Sequence, residues 1–109
     1  MITWNDFEKV EIRVGTVIDI QDFPEAKNPA YKLKIDFGEA GVRKSSAQIT
    51  KLYNKEELIN KQVLAVLNFP SKQVANFISE CLVLGFVLGN KEVVLLQPER
   101  KVPNGLRIS

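Results

Sequence analysis

Three runs of strand character, a short helical connection and two further apolar runs, in that order, predict an all-β chain. The architecture they point to is a five-stranded Greek-key barrel of the OB-fold type, with a short N-terminal helix and short helical turns between strands three and four. Two observations carry this reading. Period-two alternation recurs over Glu11–Ile20 and Tyr31–Phe37, the mark of half-buried strands. Glycine and proline then punctuate the later apolar runs, as a strand bending round a small barrel requires. An SH3-like barrel and a β-sandwich share the periodicity and stay open as competing folds. At 109 residues, 45% of them hydrophobic, the chain can bury one modest core, so a single domain over residues 1–109 is expected.

Thr3–Lys9 reads as a short helix. Thr3 caps it, and Asp6 three residues on completes an acidic form of the capping box. Trp4 and Phe7 lie on one face, which needs the barrel end or a second subunit to cover it. In Glu11–Ile20, alternation puts Ile12, Val14, Ile18 and Ile20 on one side and Arg13, Gly15, Val17 and Asp19 on the other. Gly15 marks a bend or bulge, and Arg13 is expected to face outward. Gln21–Tyr31, with Pro24 and Pro29, is a loop. Tyr31–Phe37 is apolar at its odd positions, so Lys32, Lys34 and Asp36 share the opposite face. Gly38–Gly41 turns the chain into Val42–Ile49 as a hairpin.

Thr50–Lys61 gives one or two helical turns with Asn54 as a cap. Gln62–Phe69 is almost continuously apolar, hence a strand buried on both sides, and Pro70 stops it. A polar connection follows, then Leu82–Leu88 and Glu92–Gln97 as strands, the second ended by Pro98. Asn104-Gly105 turns into a last extended piece, Leu106–Ile108. Within the connection, Ile78 is expected to pack under the loop and Phe77 to line a groove.

Composition excludes several classes. There is no histidine, which removes the commonest general base and metal ligand. One cysteine and scattered carboxylates form no zinc pattern, and no glycine-rich phosphate loop is present. A non-enzyme with no cofactor and no metal is expected. No run approaches a membrane span, and the first residues lack the charged and apolar regions of a secretory signal. With the lone Cys81, read as a small buried apolar group, this fits a reducing cytoplasm. The net charge is +2, unevenly spread: residues 1–60 carry 9 basic and 10 acidic groups, residues 61–109 carry 6 and 3. Basic pairs stand at Lys32/Lys34, Arg43/Lys44 and Arg100/Lys101.

In an OB barrel the face of strands two and three, the loop after strand one and the connection between strands four and five bound one surface. Here those are Tyr31–Gln48, Gln21–Ala30 and Asn68–Gly85, the regions richest in polar groups able to meet a ligand.

An ordered set of short motifs runs through the chain: Ile12-Arg13-Val14-Gly15, Asn28-Pro29-Ala30-Tyr31-Lys32-Leu33, Asp36-Phe37-Gly38, Ser45-Ser46-Ala47-Gln48-Ile49-Thr50, Asn68-Phe69-Pro70 and Ser79-Glu80-Cys81-Leu82-Val83-Leu84-Gly85. In these the chain resembles the stand-alone tRNA-binding OB domains that are also appended to methionyl- and phenylalanyl-tRNA synthetases. It is most similar to their CsaA-like branch of export-related chaperones. The wider family has Ser-x-Gly-Met where this chain has Ser79-Glu80-Cys81-Leu82, and more basic residues where it has only Lys72; both departures are shared in character with that branch.

The resemblance implies a homodimer that binds tRNA and unfolded or precursor polypeptides on two symmetric surfaces. The uncovered face of Trp4 and Phe7, with the C-terminal segment after Pro98, is expected at the dimer interface. Arg13, Lys34, Arg43, Lys44 and Lys72 are then candidates for phosphates. Ser46, Asn68, Ser79 and Glu80 are candidates for hydrogen bonds to sugar, base edge or peptide backbone, and Phe77 for apolar contact with polypeptide. For Glu80 a salt bridge to Arg13 or Lys72 is the competing reading, and for Arg43 and Lys44 a solvated face. An assembly or adaptor module associated with synthetases, without RNA contact, is the alternative function.

Overall fold

The computed structural model describes residues 1–109. Helix α1 (Trp4–Glu8) leads into β1 (Ile12–Asp22), β2 (Tyr31–Asp36) and, after a 3-10 turn at Gly38–Ala40, β3 (Val42–Ala47). Helix α2 (Lys55–Leu58) precedes β4 (Gln62–Val66). Then come β5 (Lys72–Val74), β6 (Phe77–Ser79), β7 (Leu82–Val83), β8 (Gly85–Val87) and β9 (Val93–Leu95). No helix is long and apolar enough to cross a membrane.

Both helices begin where their caps dictate. Thr3 and Asp6 form a reciprocal capping box on α1, and Asn54 and Glu57 form one on α2. Leu58 of α2 plugs the core, 1% exposed. Five strands pair antiparallel in the order β3-β2-β1-β4-β7. The sheet curls until Glu80, just before β7, donates its amide to the Lys44 carbonyl of β3 at 2.7 Å. The result is a nearly closed five-stranded barrel of the OB type. Its core holds Val17, Leu33, Ile35, Phe37, Val63, Ala65 and Leu67 with Cys81.

The alternation in β2 holds as expected: Tyr31, Leu33 and Ile35 are buried, while Lys32, Lys34 and Asp36 are not. In β1 it does not hold. The register shifts between Val17 and Asp19, which opens a bulge. Val17 is in the core and Ile18 is 44% exposed, the reverse of the sides expected for them, and past the bulge Ile20 packs against the core again. Gly15 also faces inward, against Phe37 and Ile35. Val14 is buried on the opposite side, where the C-terminal piece covers it: Val14 donates to the Leu106 carbonyl and accepts from the Gly105 amide.

Two corrections concern the second half. The fourth strand ends at Val66; Leu67 is still buried, but Asn68 and Phe69 are exposed. The Asn68–Glu80 connection is a hairpin of its own, β5 on β6. It leaves Ile78 at 42% exposure, so Ile78 is not the packed residue of that pair.

Candidate functional site

The three sequence regions placed on one surface do meet. The loop after β1 (Ala26, Lys27, Asn28, Ala30), the end of β3 with Ser46 and Gln48, and the β4–β7 connection enclose a groove of about 560 Å³. Of the candidate residues, Ser46, Lys72 and Ser79 line it. Phe69, Val74 and Leu82 add apolar surface to its walls.

Ser79 and Glu80 close the barrel. β3 is an edge strand, and its outward amides at Lys44 and Ser46 need acceptors. Glu80 Oε1 accepts from the Lys44 amide at 2.9 Å, and Ser79 Oγ accepts from the Ser46 amide at 3.2 Å. Ser79 Oγ also donates to the Cys81 carbonyl. Glu80 pairs with neither Arg13 nor Lys72. Both motif residues thus act as a side-chain strand, completing a ladder that the backbone completes only once.

Three other candidates are engaged in the scaffold. The Arg13 guanidinium does not project outward. Its Nε lies 2.6 Å from Glu11 Oε1, and it donates to the Gly105 carbonyl at 2.6 Å. Arg43 donates to the carbonyls of Ala40 and Leu67, bridging β3 to the end of β4. Asn68 accepts from the Glu11 amide and donates to the Lys9 carbonyl, pinning the α1–β1 corner. Beside them Cys81 is buried, and loss of solvation pushes its thiol up to about 11 against the lowering influence of Arg43.

The lysines differ. None of Lys32, Lys34, Lys44 and Lys72 takes part in the ion pairs of the chain. Lys34 and Lys44 stand directly opposite each other across β2 and β3. Phe77 meets the buried Phe23 edge-on, with ring centroids 5.6 Å apart. The sequence does not mark Lys32 or Phe23 as site residues. The alternation that exposes Lys34 exposes Lys32 too; Phe23 sits in a proline loop and carries no periodic signal.

Trp4 and Phe7 of α1, with Ile2 and Ile108, line a concavity of about 1080 Å³. Trp4 is 89% exposed. Arg107 donates to the carbonyls of Glu8 and Val10, which holds the C-terminal piece beside α1.

Comparison with known proteins agrees with this geometry. Residues 12–107 match the family described as "Putative tRNA binding domain". The chain superposes on the crystal structure of chaperone CsaA from Bacillus anthracis str. Ames with TM-score 0.95 and 54% identity, covering 100% of this chain and 99% of that one. The CsaA chaperone protein from Picrophilus torridus gives TM-score 0.92 and 57% identity, with 100% of both chains covered. A methionine–tRNA ligase of Thermococcus onnurineus is 35% identical over 107 residues. That match takes in 98% of this chain and 14% of the ligase, so the chain spans only a small part of the curated relatives it matches. With the family model covering nearly all of the barrel, and CsaA chaperones matching over its full length, this chain belongs to the tRNA-binding domain family.

Proposed function

We propose that the chain is a non-catalytic tRNA-binding protein and export-related chaperone of the CsaA type, working in the cytoplasm as one domain over residues 1–109 and as a homodimer. The observation that carries this is the set of four lysines without ion-pair partners on and beside the β2–β3 face, next to a groove of mixed polar and apolar lining. Unpaired ammonium groups favour a polyanion, and each phosphate they neutralise releases counterions. The apolar walls formed by Phe69, Val74 and Leu82 suit the side chains of an unfolded polypeptide. The test is a titration of tRNA at several salt concentrations, followed by competition with a reduced, unfolded polypeptide. The expected logarithmic salt slope is about −2.8 to −3.6, four contacts at roughly 0.7–0.9 each, and polypeptide displaces the tRNA. A tRNA affinity independent of salt, or no binding of either ligand, overturns the reading and favours the adaptor alternative.

The dimer rests on the terminal concavity. A tryptophan buries on the order of 150–250 Å² when covered, and Trp4 is left bare in a patch shared with Phe7, Ile2 and Ile108. A self-complementary patch of this kind is satisfied by a two-fold pair. Light scattering at micromolar concentration is expected to give twice the chain mass, and Trp4→Glu to give one chain mass. Because Trp4 is the only tryptophan, its emission shifts to the red on dilution through the dimer constant. A wild-type monomer with invariant emission removes the interface from this end.

A further inference from the structure

The ring of Phe77 on β6 carries two cations. Lys44 Nζ lies 5.3 Å from its centroid and Lys32 Nζ lies 6.0 Å from it. Lys32 Nζ is also 5.5 Å from the Phe23 centroid, so it sits over both rings. A ring's negative face holds an ammonium group at such distances with a modest attraction and fixes where it points. Neither lysine has a carboxylate partner. Glu80, the acidic group bonded to this strand, has its Oε1 on the amide of Lys44 rather than on its ammonium. Lys34 adds a third positive charge directly across from Lys44. Two cations without carboxylate partners held over the Phe77 ring, Lys32 over Phe23 as well, concentrate positive charge that an anion would balance.

We infer that Lys32 and Lys44 form a phosphate clamp for the RNA backbone and that Phe77, with Phe23 behind it, is the positioning residue for both. This rests on the tRNA reading above and deepens it. The ring is engaged by two ammonium groups and an aromatic edge, so it is not a bare platform for a base. An RNA backbone is favoured over an acidic peptide because the adjoining groove is lined by Asn28 and Gln48, whose amide groups are able to read sugar and base edges. Phosphate contact positions the strand, and those amides lie beside it.

The experiment compares tRNA binding across salt for the wild type, Lys32→Gln/Lys44→Gln, Phe77→Leu and Phe77→Tyr, with melting temperatures taken alongside. Loss of two phosphate contacts is expected to lower the slope by about 1.4–1.8 and the affinity by on the order of tenfold near 0.15 M salt. Phe77→Leu keeps every charge but releases both ammonium groups, so it weakens tRNA binding roughly threefold, while Phe77→Tyr keeps the ring and binds as wild type. Should Phe77→Leu fail to fold, the glutamine pair, which changes surface groups only, decides the clamp alone. Wild-type tRNA binding with an unchanged slope in the glutamine pair overturns the clamp and leaves the tRNA reading standing. Absence of tRNA binding by the wild type overturns both. Equal, lysine-dependent binding of polyglutamate would replace RNA by an acidic peptide as the occupant.

Discussion

Gly15→Ala is expected to destabilise the barrel by about 1–3 kcal/mol, and Gly15→Val by more. A Cβ built at Gly15 lies 2.6 Å from Phe37 Cδ1 and 2.7 Å from Ile35 Cγ2, well inside van der Waals contact. Both neighbours are 0% exposed and have no free volume to retreat into. The cause is steric, since Gly15 is not among the glycines of positive φ. For a domain of this size the alanine variant should melt roughly 5–15 °C below wild type. Phe37→Leu, which itself destabilises, should recover part of the loss when combined with Gly15→Ala, because the two sites share one space. An alanine variant with an unchanged melting curve would mean that the glycine answers to something other than packing.

Glu80→Ala is expected to open the seam between β3 and the segment before β7. The Lys44 amide then loses its only acceptor, and a hydrogen bond to a charged group contributes roughly 1.5–3 kcal/mol. The site is half-buried, which places the effect toward the lower end. Ser79→Ala removes the neighbouring acceptor of the Ser46 amide at about 1 kcal/mol, so the double variant loses roughly 2–4 kcal/mol. Glu80→Gln keeps an oxygen in place and should cost least of the set. Amide hydrogen exchange distinguishes this from general loosening: Lys44 and Ser46 lose protection first, while Leu33 and Ile35 keep theirs. Equal stability of Glu80→Ala and Glu80→Gln would show that the carboxylate does not hold the seam.

What was legible in the sequence follows from the range of the interactions. The capping box at Thr3 and the cap at Asn54 each span three residues, and the β2 alternation is read from six. These are local rules, and the structure obeys them. A bend or bulge in β1 is signalled by Gly15, but its position between Val17 and Asp19 is not, because isoleucines continue the apparent period straight through it, and only pairing with β2 locates it. Hairpin β5–β6 was hidden for a different reason: three-residue strands are too short to display a period. The convergence of three regions into one groove was legible, because it follows from barrel topology once the strand order is known. The duties of Arg13, Asn68 and Glu80 were not. Their partners lie 92, 57 and 36 residues away, and polarity alone does not tell a ligand contact from a tie within the fold.

The burial of Cys81 has a redox consequence. A thiol titrating near 11 rather than 9.0 holds about a hundredfold less thiolate at any neutral pH, two units at tenfold each. The thiolate is the form that attacks peroxide, disulfides and alkylating reagents. The one sulfur able to cross-link this chain is therefore kept off the first rung of the oxidation ladder by the same closure that completes the barrel.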